Sequence, residues 1–380
     1  MMPLLHALAE VPDFRKSQGK RHPLPALLGL ICAAMLSGFL TPKAIAQWGQ
    51  AQAQTTLQRL GFTRPHAPSE STLQRILRSL DASALEQTLT RWLRRWLPAH
   101  GELALDGKTL RGSSDGALPA TQLLAAFCQQ AGAVLAQQPV QQRDESEAAQ
   151  ALLQGLDLTG WIVTADAGLG HKALAQTILA QGGAYVFTIK GNQPTVRDDL
   201  ALLCGHAREM PRDPEGSLRL TSATTVQLHG GRVERRTLWA SDVLVGYTPW
   251  PGLGQVFQLE RQVTHKATDE LRQEVTYGVT SLSPERASAG RLLALVQGHW
   301  GIENRSHWVR DVRLAEDRCR VRKGSGPQML AAFRNLGLTL LRRVGFGNMA
   351  QGLQHFALRP EAAIRLVTHP LPKPPNKKMT

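Results

Sequence analysis

The spacing of apolar and polar positions changes character along the chain. Residues 1–100 read as all helix. The uncharged run Leu24–Leu40 predicts a buried helix, because a helix that is apolar all round has no face to offer water. Pro42 opens another helix through Trp48 and Leu57. Pro68-Ser69-Glu70-Ser71-Thr72 precedes Leu73, Ile76, Leu77 and Leu80, whose spacing predicts a helix capped by Ser69 or Ser71. A last helix carries Leu85, Leu89, Trp92, Leu93 and Trp96, with Arg91, Arg94 and Arg95 beside them. Short helices joined by polar turns, one bearing Arg75 and Arg78, fit either a helix-turn-helix DNA reader or a plain helical bundle.

From about residue 101 the pattern becomes mixed. Leu103–Asp106 is a short strand, and Leu123–Cys128 with Ala133–Val140 reads as a hairpin around Gln130-Ala131-Gly132. Trp161–Asp166 is a β-rich apolar run of the kind found in buried strands. A helix over Lys172–Gln181 leads to the strand Tyr185–Ile189, which ends at Lys190-Gly191-Asn192-Gln193-Pro194. Leu218–Thr221, Thr224–Leu228, Val233–Ala240, Val256–Thr264 and Glu274–Ser281 are strand-like, with a turn at His229-Gly230-Gly231-Arg232. A long helix then runs from about Pro284 past Val312, another spans Gln328–Arg343, and the tail His369–Thr380 has the proline- and lysine-rich composition of disorder. These textures predict a helical N-terminal domain (1–100) and a mixed α/β core in two parts (101–214 and 284–345). A β-rich insertion (215–283) divides the core, and a C-terminal segment (346–380) follows it.

Charge narrows the partners. With 44 Lys and Arg against 30 Asp and Glu, the 380-residue chain carries a formal +14, which suits a polyanion such as DNA. Cys32, Cys128, Cys204 and Cys319 lie far apart and form no C-x-x-C pair, so they read as free thiols of a reducing cytoplasm. Arg15, Lys16, Lys20 and Arg21 before the apolar run, and Ala44-Ile45-Ala46 after it, imitate a signal peptide. Glu10 and Asp13 in the basic stretch, and the lack of a second span, favour a core helix and no membrane partner.

The segment His299–Arg310 reads as one helix on which His299, Glu303, His307 and Arg310 share a face. One carboxylate flanked by cationic groups can hold a divalent metal with a phosphate beside it. Asp106 and Asp166 end two candidate neighbouring strands, which would bring them together across a sheet. Phosphodiester chemistry needs an activated nucleophile and relief of charge on the phosphate, and two Mg²⁺ ions held by carboxylates supply both. Lys108 and Arg111 put positive charge near Asp106, and Gly168 and Gly170 permit a tight turn after Asp166. Lys190, Asn192 and Gln193 form a polar cluster suited to phosphate or base-edge contacts. Zinc is disfavoured because His299 and His307 find no third soft ligand at suitable spacing. Trp300 and Trp308 read as core residues, with base stacking as the alternative.

These residues resemble the DDE insertion-sequence transposases of the H-repeat-associated type. The matching pieces are Val11-Pro12-Asp13-Phe14-Arg15-Lys16 through His22, Pro68–Leu73, Asp106-Gly107-Lys108-Thr109-Leu110-Arg111-Gly112 and Thr164–Ala167. Lys190–Pro194, His229–Arg236 and His299–Val312 with Glu316-Asp317 complete the set, so the resemblance spans nearly the whole chain in order. It implies a ribonuclease-H-like core with a β insertion before the last acid, and Asp106, Asp166 and Glu303 as the catalytic, metal-binding triad. It also implies Mg²⁺ as cofactor with Mn²⁺ as a substitute, and transposon-end and target DNA as partners, bound by a homodimer. Lys108, Arg111, Lys190, Asn192, Gln193, His299, Asn304, His307 and Arg310 would be the DNA contacts. The protein would be bacterial and cytoplasmic, on the nucleoid when bound. In the wider group a tyrosine, an arginine and a lysine surround the last acid; here Val296, His299 and Arg310 stand in those places, and Asp144–Glu147 departs from the usual lysine and asparagine pattern. The expected activity is cleavage at inverted-repeat ends followed by strand transfer. The alternatives are a catalytically inactive or repurposed DNA-binding relative and a stand-alone structure-specific nuclease.

Overall fold

The computed structural model describes residues 2–116, 119–142, 144–191, 193–209 and 220–372. Asn192, the start of the strand expected at Leu218 and most of the C-terminal tail lie outside them. The described strands are β1 (Gly101–Leu110), β2 (Thr121–Cys128), β3 (Ala133–Pro139), β4 (Trp161–Ala165), β5 (Ala184–Ile189), β6 (Thr221–His229), β7 (Arg232–Ser241), β8 (Gln255–His265) and β9 (Leu271–Thr280). The result is a mixed α/β fold with a helical N-terminal region. The chain divides into two compact units. One holds Met1–Ala99, Gly107–Arg143 and Ile302–Thr380, the other His100–Asp106 and Asp144–Gly301.

The first unit is built on the helix Leu24–Leu36. Pro25 sits in its first turn, and nearly every residue to Leu36 is buried. Burying each such leucine contributes roughly 1.5–3 kcal/mol. The helices that cover it include Leu4–Leu8, Pro42–Gln50, Gly326–Arg343, Met349–Ala357 and Pro360–Thr368. The run that imitates a signal peptide is therefore a core element, and no described helix is long and apolar enough to cross a membrane. The hydroxyls of Thr41 and Ser69 and the carboxylate of Asp81 cap the helices Pro42–Gln50, Glu70–Ser79 and Ala82–Arg94. The last of these lays Leu85, Leu89, Trp92 and Leu93 into the core, packing against β3 and Leu4–Leu8, as a bundle helix does. Arg75 and Arg78 face outward. β2 and β3 form the expected antiparallel hairpin, from Leu123 opposite Pro139 to Cys128 opposite Ala133.

In the second unit the start of β1 pairs in parallel with β4, and β4 with β5. The helix Lys172–Ala180 joins β4 to β5, giving the crossover path of a ribonuclease-H-like core. β5 then pairs antiparallel with β9, and β9, β8, β7 and β6 follow as an antiparallel run. The helix Ala289–His299 is capped by Ser288 and packs Leu292, Leu293, Leu295 and Val296 against Val186, Leu238, Ala240 and Phe257. It begins at Ala289, because Pro284–Arg286 forms a turn.

Two helices of this unit escape the sequence reading. Glu145–Gln154 is capped by Asp144, whose Oδ1 accepts from the Glu147 amide at 2.9 Å, with Glu145 and Glu147 in its first turn. The unusual Asp144–Glu147 segment is thus a helix start. Pro194–Glu209 buries Val196, Leu200 and Leu203, a helical spacing that the turn residues ahead of Pro194 obscure.

Candidate active site

The ladder between β1 and β4 runs from Gly101 opposite Trp161 to Leu105 opposite Ala165. The next residue on each side is a carboxylate, Asp106 within β1 and Asp166 directly after β4. Hydrogen-bonded strands lie about 4.8 Å apart, so the two acids leave adjacent backbones at one level. Leu103–Leu105 and Val163–Ala165 are buried, whereas Asp106 is half-buried and Asp166 exposed.

The turn after β4 fixes Asp166. Its Oδ1 accepts from the amides of Gly168 at 3.0 Å and Leu169 at 3.3 Å, and its carbonyl accepts from the Gly170 amide at 2.9 Å. A Cβ on Gly170 would lie 2.8 Å from the Thr188 carbonyl oxygen, so the close approach requires glycine. Among the described residues Oδ2 of Asp166 has no hydrogen-bond partner. A second aspartate at the same level makes a hard oxygen donor set that fits a divalent cation.

The helix Ala289–His299 is tied to these strands at both ends. Arg291 pairs with Glu102 of β1 at 2.7 Å, and His299 Nδ1 lies 3.1 Å from Thr164 Oγ1 on β4. His299 is thereby held two positions before the Asp166 level, and the helix runs alongside the strands toward their C-terminal ends.

Beyond His299 the helix is not uniform. It breaks at Trp300 and widens into a π-helical turn over Glu303–His307 before resuming at Trp308–Arg313. Such turns recur at functional sites. The wider turn undoes the single row expected for His299, Glu303, His307 and Arg310. The Glu303 side chain is 48% exposed, and its Oε1 lies 3.6 Å from Nδ1 of the buried His307.

A model of the Transposase DDE domain matches residues 98–340, and one described as DDE_Tnp_1-associated matches residues 5–93. The chain belongs to the DDE transposase family. It is 26% identical over 349 residues to the H repeat-associated putative transposase YhhI of Escherichia coli K12, covering 89% of this chain and 90% of that one. It is 27% identical over 350 residues to the putative transposase YncI of Escherichia coli O157:H7, covering 89% and 87%. An uncharacterized protein in the dhlA 3′ region of Xanthobacter autotrophicus is 31% identical over 282 residues, covering 70% of this chain and 91% of that one. Among solved structures, a piggyBac transposase synaptic complex with hairpin DNA aligns at TM-score 0.40 and 10% identity, over 96% of this chain and 77% of that one.

In this transposase several expected DNA contacts are enclosed by protein. Arg310 is 1% exposed and pairs with Glu316 at 2.8 Å, and Arg334 lies 3.5 Å from the same carboxylate. Its guanidinium neutralises a buried acid and offers nothing to a phosphate. Burial pushes the Glu316 carboxyl up, but Arg310 and Arg334 outweigh that and hold it below the usual range. Lys108, 9% exposed, is bound to Asp311 at 2.6 Å. His307 is 3% exposed, so it too is screened from DNA. These three expectations fail for one reason: sequence shows charge but not enclosure. Conversely, Trp300 and Trp308 were expected in the core and are 59% and 53% exposed. Val296, in the tyrosine place, is a core residue.

The remaining expected contacts stand differently. Arg111 is largely exposed, 3.7 Å from Asp317. Lys190 and Asn304 are exposed and Gln193 is half-buried. The Arg310–Glu316–Arg334 cluster was not anticipated as a unit. Its one sequence signal is Arg334 inside the apolar run Met329–Leu341, where a charge needs a partner.

Proposed function

We propose that the chain is an active DNA transposase: it binds the inverted-repeat ends of its own element as a homodimer in the bacterial cytoplasm, cuts there and joins the freed end to target DNA. The observation that carries this is the pair Asp106 and Asp166 at one level of two adjacent parallel strands. In this reading Glu303 joins them as the third ligand of Mg²⁺, with Mn²⁺ as a substitute. Chain length supports it. His299 is fixed at Thr164, and Glu303 follows only four residues later in the chain. Four residues span at most about 14 Å even when fully extended. Divalent cations bound there supply charge relief on the phosphate and an activated water.

The residues of the chain do the rest. The Gly168 and Leu169 amides hold Oδ1 of Asp166 in place. Thr164 orients His299, whose ring borders the site and would position a phosphate oxygen. Lys190, Arg111, Gln193, Asn304 and Asn192 would contact the duplex flanking the cut. In the first step water adds to phosphorus and the 3′ oxygen leaves with a proton. In the second, that 3′-hydroxyl attacks another phosphodiester, so one P–O bond forms as one breaks.

The test uses full-length protein and a duplex carrying the terminal repeats of the element. Asp106→Ala, Asp166→Ala and Glu303→Ala should each abolish Mg²⁺-dependent nicking while binding persists. Nicking at the wild-type rate by any one of them would overturn the triad. Binding without scission by the wild type, in both Mg²⁺ and Mn²⁺, would overturn the activity.

A further inference from the structure

The π turn has a second side. Asn304, Arg305, Trp308 and Arg313 line a groove of about 1280 Å³ whose lining also includes Trp96, Arg342 and Arg343. That volume exceeds the roughly 300–1,000 Å³ of a typical small-molecule site, so it suits an extended ligand. Among the described residues none of its four arginines pairs with a carboxylate. Arg305 donates to the Gln129 carbonyl at 2.7 Å, and Arg342 donates to the carbonyls of Gly132 and Arg305. Arg313 and Arg343 lie over the rings of Trp308 and Trp96, at 6.0 and 5.1 Å. Burial pulls the Arg342 guanidinium down to about 10, with Arg305 adding to the effect, and still leaves it cationic at neutral pH. Enclosing the Arg342 guanidinium beside Arg305, with no carboxylate paired to either among the described residues, costs free energy that a bound polyanion offsets.

We propose that this groove binds an unpaired DNA strand, with a base stacked on the exposed face of Trp308 and phosphates held by Arg305, Arg313 and Arg343. The chemistry selects this occupant. A duplex presents phosphates but keeps its base faces covered, whereas a single strand offers both phosphate charge and open π-faces to an arginine- and tryptophan-lined channel. Asn304 and Arg305 directly follow Glu303, so a strand in the groove begins beside the proposed third metal ligand. The inference rests on the transposase reading for its biological setting but not for its test.

The test measures binding of fluorescein-labelled oligo(dT) to the full chain in EDTA, by anisotropy and by quenching of tryptophan emission. The wild type should bind oligo(dT) with quenching. Trp308→Ala should weaken binding about ten-fold or more, and Trp308→Phe should restore most of it. Arg313→Ala should lower the salt dependence by about one counter-ion. Unchanged oligo(dT) affinity in Trp308→Ala would overturn the proposal. So would an equal loss of fully paired duplex binding, which would make the groove a general duplex contact. Mg²⁺-dependent nicking of the end duplex is scored separately. Nicking without oligo(dT) binding sinks this inference alone, and oligo(dT) binding without nicking sinks the transposase activity alone.

Discussion

Two groups of charged residues teach opposite lessons. Where the ladder between β1 and β4 stops, Asp106 sits within β1 and Asp166 follows β4, and Asp166 is exposed. In the other compact unit Arg310, Glu316 and Arg334 are each at most 2% exposed and pair their charges with one another. Both groups mix into the same kind of sequence, acids among basic residues beside apolar runs. What separates them is access to water. An open carboxylate can exchange solvent for a cation, whereas an enclosed one is already neutralised, and its removal leaves a buried charge behind.

The largest expected effect is on chemistry at the open site. Asp166→Asn should lower Mg²⁺-dependent nicking at least ~100-fold, since even outer-shell partners of a metal cost about 10–100-fold. Its urea midpoint should stay close to wild type, as for other exposed positions. A large loss of stability would make Asp166 a structural group like the enclosed Glu316. Next is Arg310→Met, which removes the nearest ion-pair partner of Glu316 and should cost about 3–5 kcal/mol of unfolding free energy. Weakened DNA binding at an unchanged urea midpoint would instead put Arg310 on the DNA surface.

Two buried glutamates of one unit sharpen the contrast further. Burial pushes the Glu86 carboxyl up to about 8, although the side-chain amides of Gln137 and Gln328 donate to its Oε1 at 2.8 and 3.0 Å. Its raised value means the native state holds a proton that the unfolded state releases near 4.5, so its contribution falls as pH rises from about 4.5 to about 8. Glu86→Gln should flatten that slope and raise stability near pH 8, on a scale of about 1.4 kcal/mol per pKa unit. Thermal unfolding across this window checks it, and an unaltered slope would show that Glu86 is not held neutral. Glu316 has the opposite sign. Its lowered value gives stability above about 4.5 that is lost as pH falls through the native value. The smallest expected effect is Lys190→Ala, which should weaken binding evenly across DNA sequences and reduce the salt slope by about one. An unchanged slope would remove Lys190 from the interface.

Much of the fold was legible because its signals are local. The β2–β3 hairpin, β4, β5, the insertion strands and the helices Lys172–Ala180 and Gly326–Arg343 follow from alternation, apolar runs and turn residues. Asp106 and Asp166 stood out because each follows an apolar run, although β1 continues past Asp106 to Leu110. The π turn at Glu303–His307 was not legible, since no residue in it forbids an ordinary helix. Nor were the enclosure of Lys108, His307 and Arg310 or the exposure of Trp300 and Trp308. Each depends on which distant segment covers the side chain.

By itself, the sequence determined most of the elements, the basic balance and which acids follow apolar runs, because these depend on neighbours a few positions away. Tertiary structure alone decided that C-terminal helices cover Leu24–Leu36, that β1 and β4 pair with Leu105 opposite Ala165, and that Glu316 meets Arg310 and Arg334 out of water. Burial and strand register are properties of the packed chain, and they sorted its charges into those open to solvent and those that hold the core together.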